Sequence, residues 1–491
     1  MFLFINLNQR LQRDFVMNAV RPRMPPFGVA YVAACLAQIG VKSILHDDNL
    51  REFSDDQLRD LLKRYKGDLQ AVGLTSVSTT LRQLSRVSRI VKEELPDVPI
   101  IVGGPHARLL PEDIISIPEI DVVFASEAEI SIVEYAQGRN VASIGGLMFK
   151  SGGKIMKSTP EPQVVHNLDQ IPFPAYDLFN IAEYNATKGI VKRSPASYII
   201  TSRGCPYDCK FCSSKALNRS TEKRIRFRSA ENVVNEIEWL VKAHKIRELF
   251  FSDDMFTGNT KHLMGICEGL IKLHLDLIWV CMTHVQHVNV EKLRAMKAAG
   301  CHQLCFGVES GDPHIQKVIN KNLDLNVVRN AVAMAQKVGL DVRCSFMFGN
   351  ESETCQTMQR TIDFAKSLKI EFASFNIATP YPGTHLRNWA LNNGYLANPD
   401  YEALDSTTYT IVTPDLPPGT VEAYCSKAFR SFYYSPHYML RRFKKMRDLE
   451  ELKRVAKSAV YAMKTLPVVM KQLTKTKGGF LSIPPKSGDG A

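Results

Sequence analysis

What most constrains the fold of this chain is a repeated alternation. Short, nearly continuous apolar runs are followed by longer segments with helical periodicity. In the first 150 residues the apolar runs are Phe2–Leu7, Ser43–Asp47, Ala71–Ser76, Pro99–Gly104 and Asp121–Ala125. Helical patterns lie between them at Val29–Ile39, Ser54–Tyr65 and Arg82–Glu94. Runs apolar on both sides suit parallel strands buried on both faces. The pattern predicts a doubly wound α/β domain that binds ligands beyond the carboxyl ends of its strands. Those ends are Thr75-Ser76-Val77-Ser78, Gly103-Gly104-Pro105-His106 and Ser126-Glu127.

Residues 151–197 break the pattern. Five prolines and little periodicity mark a connector, with Ile171-Pro172-Phe173-Pro174 as an ordered strap. Alternation resumes with strands at Tyr198–Ser202, Glu248–Ser252, Ile278–Thr283, Gln303–Val308, Val342–Phe348 and Ser374–Thr379. Helices are expected at Ala230–His244, Lys261–Leu273, Val290–Ala299, Leu325–Val338 and Cys355–Leu368. Six such units over 198–415 predict a partial (β/α)6 barrel, with its chemistry at the strands' carboxyl ends. Residues 416–491 read as a basic helical carboxyl-terminal region.

Composition narrows the class. Hydrophobic residues make up 45% and charged residues 23% of the 491, close to a globular average. No apolar run reaches the roughly 18 residues that span a bilayer. The start at Met1–Leu7 lacks a signal peptide's basic flank, so a cytoplasmic protein is expected. The net charge of +12 suggests nucleic acid until it is located. From Pro436 onward 13 Lys or Arg face 4 Asp or Glu, so most of the excess belongs to the tail and no nucleic-acid partner is expected.

Eleven cysteines, an odd number in a long chain, argue against a disulfide framework. Cys281, Cys301, Cys305 and Cys344 lie in apolar runs and read as core. Cys205, Cys209 and Cys212 form C-x3-C-x2-C directly after the first barrel strand. Three soft ligands on a short loop suit zinc or an iron–sulfur cluster. Zinc in a closed site wants a fourth ligand; a cluster held by three cysteines leaves one iron open for catalysis.

The run Gly204-Cys205-Pro206-Tyr207-Asp208-Cys209-Lys210-Phe211-Cys212 resembles the cluster loop of the radical S-adenosylmethionine (SAM) superfamily. That resemblance implies a [4Fe-4S] cluster on the three cysteines, with SAM on the free iron and Phe211 near its adenine. Phe251-Ser252-Asp253-Asp254, Phe306-Gly307-Val308-Glu309-Ser310-Gly311 and Thr379-Pro380-Tyr381-Pro382-Gly383-Thr384 resemble the family's second, fourth and sixth strand ends. They imply SAM contacts at Asp253, Glu309, Ser310 and Thr379. Phe348-Gly349-Asn350-Glu351-Ser352-Glu353-Thr354 resembles the fifth, with Glu351 where relatives have proline. Where relatives often carry an arginine at the third strand end, this chain has Thr283-His284. His284 is a candidate substrate contact or proton donor, or a structural histidine.

The first 150 residues resemble the cobalamin-binding domain fused to many of these enzymes. The resemblance implies cobalamin contacts at Thr75, Ser76, Gly103, Gly104, His106 and Glu127. The D-x-H-x-x-G signature for an axial histidine is absent. A cobalt without that ligand is therefore expected; His46 and His106 are conceivable substitutes but read better as loop hydrogen-bonding residues.

Together these resemblances imply a cobalamin-dependent radical SAM enzyme that methylates an unactivated carbon of a small-molecule, lipid or pigment substrate. The alternative is non-methylating radical cyclisation or bond formation on a lipid, hopanoid or tetrapyrrole. A flavodoxin- or ferredoxin-type electron donor is implied as partner. In the tail, Leu440, Phe443, Met446, Leu449, Leu452, Val455, Ala459, Met463 and Leu466 recur at helical spacing among basic residues. Such a helix either lies peripherally on the inner face of a membrane or caps the barrel.

Overall fold

The computed structural model describes residues 1–8, 24–184, 191–218, 224–406 and 408–445. The first sheet has the order β2-β1-β3-β4-β5-β6-β7. Its parallel strands are β1 (Phe2–Asn6), β2 (Ser43–Asp47), β3 (Ala71–Thr75), β4 (Ile100–Gly103) and β5 (Val122–Phe124). Helices α1 (Phe27–Gln38), α2 (Asp55–Arg64), α3 (Leu81–Glu94) and α4 (Glu129–Ala136) flank it. Each sheet face has its own apolar cluster, one built on Leu3, Ile5, Val72 and Val102, the other on Phe2, Phe4 and Ile101. That is why the runs are apolar throughout.

The sequence reading missed an antiparallel hairpin, β6 (Leu147–Ser151) and β7 (Lys154–Lys157), at the edge of this sheet. Lys154–Lys157 is wholly exposed and has no buried face to betray it. The turn, Gly152-Gly153, was the available signal; both glycines have positive φ, as a tight hairpin turn requires.

The second sheet is a six-stranded all-parallel partial barrel, ordered β15-β14-β13-β12-β11-β8. Its strands are β8 (Ala196–Ile199), β11 (Glu248–Phe251), β12 (Ile278–Thr283), β13 (Cys301–Glu309), β14 (Asp341–Phe348) and β15 (Phe372–Ile377). The intervening helices are α5 (Ala230–His244), α6 (Thr260–Leu273), α7 (Val290–Ala298), α8 (Leu325–Lys337) and α9 (Cys355–Ser367). Ser229, Asn259, Asn289, Asp324 and Thr354 cap their amino termini through side-chain oxygens.

One expected strand is split. The chain leaves the barrel after Ile199, and β9 (Ser202–Gly204) pairs antiparallel with β10 (Ile225–Phe227) in a separate ribbon. The buried Asp253 carboxylate accepts from Thr201 N, Thr201 Oγ1 and Ser202 Oγ, which draws the chain out of the sheet. The ribbon delivers the chain to Cys205.

Polar groups close the amino-terminal end of the barrel. Buried Glu248 accepts from the backbone of Lys192 and Arg193 and pairs with His302 at 2.9 Å. The free edge of β15 is covered by α10 (Thr420–Tyr433) and α11 (Pro436–Lys445). The Tyr433 hydroxyl donates to Ala373 O and accepts from Ala373 N. Tyr438 and Arg441 donate to Glu371 O and Ile370 O. These bonds occupy backbone groups that a missing strand would have used. The start of the tail thus caps the barrel edge; the rest of the expected helix lies outside the described residues. Among the described residues no helix is long and apolar enough to cross a membrane.

The connector ties the two sheets together. Tyr176 donates to Glu236 on α5 at 2.5 Å, and Tyr184 to Asp47 on β2 at 2.7 Å.

Candidate functional site

The cysteine loop leaves β9 at the carboxyl mouth of the barrel. Backbone bonds fasten it: Lys210 N donates to Ile319 O, Leu386 N to Lys210 O, and Cys212 N to Cys209 O, all at 3.0 Å. Burial raises the pKa of all three thiols, that of Cys209 to about 11. Cys212 remains open to solvent even so, as a thiol in a cleft would be. The protein alone therefore does not hold these sulfurs as thiolates. A cationic iron–sulfur cluster would supply the missing charge, so the donor set fits one.

Three groups from other elements face the loop. Glu309 ends β13 with φ +68, a left-handed conformation sparsely used by a side-chain-bearing residue. Its Oε1 takes a hydrogen bond from Lys321 Nζ at 2.9 Å. Lys321 is largely buried, and the charges of Glu309, Cys209 and Cys212 push its pKa up against the cost of burial. Gly307 makes room for this pair, since a Cβ there would meet Glu309 Oε1 at 2.5 Å and Lys321 Nζ at 2.7 Å. Lys321 was not singled out in the sequence; its one signal was a lysine shortly after a strand-end glutamate.

His284 ends β12, with its ring stacked 4.4 Å from Tyr207 of the cysteine loop. Its Nδ1 accepts from Gln286 N, which assigns the proton to Nε2. That Nε2 is buried without a partner. Burial, Lys321 and His287 lower its pKa to about 3, so it is a neutral donor whose N–H has no acceptor among the described residues. The Tyr207 hydroxyl also shares a hydrogen bond with His287 Nε2 at 2.7 Å.

Other expected SAM contacts are placed differently. Asp253 is buried in its bonds to Thr201 and Ser202, and burial raises its pKa to about 6. The carboxylate whose charge reaches Cys205 and Cys212 is the next one, exposed Asp254. Ser310 is fully buried and bonds Thr361 and Asp312 N. Thr379 is buried and donates to Ile377 O. Phe211 packs on the apolar cluster of Met347, Phe348 and Ile377 at the ends of β14 and β15. Glu351, in the place of the usual proline, pairs with Lys210 at 3.3 Å.

In the first domain most expected cobalamin contacts already have partners. Thr75 Oγ1 donates to Asn6 and accepts from Leu7 N. Gly104 has φ +113 because the Ser76 backbone lies 2.6 Å from where its Cβ would be, so its freedom serves the chain itself. His106 is buried between Ser78, Asp113 and Tyr401. His46 packs against Phe53, with ring centroids 4.5 Å apart and planes tilted by 55°. Ser76 Oγ is buried without a partner, and a Cβ on Gly103 would meet nothing nearer than Phe124 Cβ at 4.0 Å. An orphaned hydroxyl just past β3, beside an uncrowded glycine at the end of β4, fits a ligand seated on this edge of the sheet.

Glu127 is turned from the ligand side to the domain boundary. Arg226 of β10 forks onto its carboxylate, and Arg203 of β9 reaches Glu127 at 3.2 Å and Glu129 at 2.6 Å. Arg203 also lies over the Tyr31 ring at 5.4 Å. The Glu127 and Arg226 side chains are 4% and 2% exposed, so both charges depend on each other. This buried network places the ribbon that carries Cys205 against the carboxyl end of β5.

A thiol-bearing loop at the mouth of a partial barrel, clamped to a doubly wound ligand domain, defines a cluster-dependent enzyme with a second cofactor domain. Residues 199–365 match the radical SAM superfamily and residues 13–136 the B12 binding domain. An uncharacterized methyltransferase of Pyrococcus horikoshii is 34% identical over 85% of this chain and 89% of its own. The anaerobic magnesium-protoporphyrin IX monomethyl ester cyclase of Rubrivivax gelatinosus is 27% identical over 81% of this chain and 71% of its own. Among solved structures, the methyltransferase TsrM of Kitasatospora setae, with cobalamin and a [4Fe-4S] cluster, superposes with TM-score 0.66 at 16% identity, covering 89% of each chain. The cobalamin-dependent enzyme OxsB gives 0.71 at 17% identity, over 95% of this chain and 71% of its own. This chain belongs to the cobalamin-binding radical SAM enzymes, whose cofactors are a [4Fe-4S] cluster, SAM and cobalamin.

Proposed function

We propose that this enzyme transfers a methyl group to an unactivated carbon of a small-molecule or lipid-like substrate at the shared mouth of the two domains. The observation that carries this reading is the Glu127–Arg226–Arg203–Glu129 network, which brings the cysteine loop to the carboxyl edge of the first sheet. The Pyrococcus relative, named a methyltransferase, supports it. When bound, the cluster and SAM would supply a deoxyadenosyl radical and cobalamin a transferable methyl group.

The chain's own residues bind and orient. Cys205, Cys209 and Cys212 hold the cluster. Asp254 receives the amino group of SAM and Lys321 its carboxylate. Glu309 accepts from the ribose hydroxyls, and Phe211 packs beside the adenine. The His284 Nε2–H donates to a bound oxygen without giving up its proton. Ser76 and Gly103 line the cobalamin side. A flavodoxin- or ferredoxin-type protein supplies the electron.

The test uses reconstituted holoenzyme, an anaerobic reductant and SAM labelled in its methyl group. Label should appear on bound cobalamin, and 5′-deoxyadenosine should form. Deoxyadenosine with no label on cobalamin would reject methyl transfer in favour of radical cyclisation. Contact of the tail with membrane is tested by flotation. Binding that prefers anionic vesicles and is lost without 436–491 supports it; equal binding to neutral vesicles ends it.

A further inference from the structure

The barrel lumen has two unlike sides. On β8, β11 and β12 the inward residues are apolar, with the Tyr198 and Phe250 rings 5.2 Å apart and Met282 on the next strand. Met282 is 55% exposed although it sits on a central strand, flanked by fully covered Cys281 and nearly covered Thr283. Cys305 pairs with it on β13, and burial raises that thiol to about 11 although its surface is partly accessible. This inner face of the central strands is thus left accessible rather than filled.

The facing side, on β14 and β15, carries polar groups at Arg343, Ser345 and Ser374 beside Phe372. Arg343 shares the layer of Met282 and Cys305. Its Nε is buried without a partner, and its guanidinium rests on the Phe372 ring at 5.4 Å. Among the described residues no carboxylate pairs with it and no hydrogen bond takes it up. Other charged groups at the barrel's lower end are paired: Glu248 with His302, and Lys192 with Asp341. Two residues further along the strands, roughly 7 Å nearer the mouth, Ser345 and Ser374 stand side by side. Neither hydroxyl has a partner among the described residues.

An unpaired guanidinium in the layer of an accessible apolar strand face is a recognition element for an anion. We propose that the lumen takes an amphiphilic substrate with an anionic group, carboxylate or phosphate, bound by Arg343. Its hydrocarbon body lies against Met282 and Phe250, and its reacting carbon stands at the mouth. The direction of the substrate rests on the reading of the mouth as the place of radical chemistry. The anion site rests on the lumen alone.

The experiment titrates holoenzyme with octanoate, octyl phosphate and octan-1-ol by calorimetry, for the parent, Arg343→Gln and Arg343→Lys. The parent should bind at least one anion tenfold or more tighter than the alcohol. Arg343→Gln should lose that preference while keeping the alcohol affinity, and Arg343→Lys should restore part of it. The anion that loses more identifies the group. Equal binding of all three probes by the parent, or anion binding unchanged in Arg343→Gln, would overturn the proposal. Iron and cobalamin content report whether each variant folds, and the Lys variant carries the comparison if the Gln variant does not. Deoxyadenosine formation by the parent is measured in parallel; its absence would sink the radical reading and leave the binding comparison standing.

Discussion

At the residue scale, the mouth depends on a few atoms that cannot be moved. Gly307 gives Lys321 and Glu309 the room to meet. Gly307→Ala should keep its iron but form deoxyadenosine about a hundredfold more slowly, because displacing a positioning pair by an ångström has that order of cost. Cys205→Ala, Cys209→Ala and Cys212→Ala should each lose the cluster's visible absorbance and SAM cleavage together. Glu353 gives a test by pH. It is buried, accepts from Gly349 N and Asn350 N, and burial raises its pKa from 4.5 to about 7. The native state thus keeps a proton that the unfolded chain releases between these values, so stability falls as pH rises through that window. The melting temperature of the parent, relative to Glu353→Gln, should drop between pH 4.5 and 7 and then level off. A difference independent of pH would reject the assignment.

The same scale shows what a sequence can reveal about a site. That the three cysteines and Glu309 meet at one mouth was legible because their order and spacing are local. Asp253 and Asp254 were not separable: neighbours on a strand end face opposite ways, and only the bonds to Thr201 and Ser202 show which turns inward. Glu127 read as a ligand contact because its partners, Arg203 and Arg226, are distant in sequence. Lys321 lacked a motif of its own.

At the scale of elements, the partial barrel must manage an open edge. Tyr433 does so with one hydroxyl that both donates and accepts. Tyr433→Phe should cost about 1–3 kcal/mol. Hydrogen exchange at the Ala373 amide should speed up while that of β13 does not; uniform exchange would contradict the capping role. Parallel strands were legible as apolar runs, and ten of the eleven expected kept their place within two residues at either end. The exceptions have physical causes. The β6–β7 hairpin includes a strand with no buried side, and the first barrel strand is broken by a carboxylate from its neighbour.

At the scale of the whole molecule, the two domains share a buried charge network. Removing one partner of such a pair leaves an uncompensated charge, at about 3–5 kcal/mol. Glu127→Ala should therefore lower the melting temperature sharply, and a second change, Arg226→Leu, should recover part of the loss. Additive losses would argue against a direct pair. The same measurement on iron retention should follow the melting curve, since Arg203 and Arg226 belong to the ribbon that carries Cys205.

That ribbon also bears on how such proteins could be recombined. Arg203 stands two positions before the first cluster cysteine, yet among the described residues its charge is answered by the neighbouring domain. A barrel fused to a foreign ligand domain without equivalents of Glu127 and Glu129 would carry buried cations with no counterion beside its cofactor loop. Domain shuffling in this architecture is thus restricted to partners that bring the two carboxylates with them, and a chimera should be judged first on those two positions.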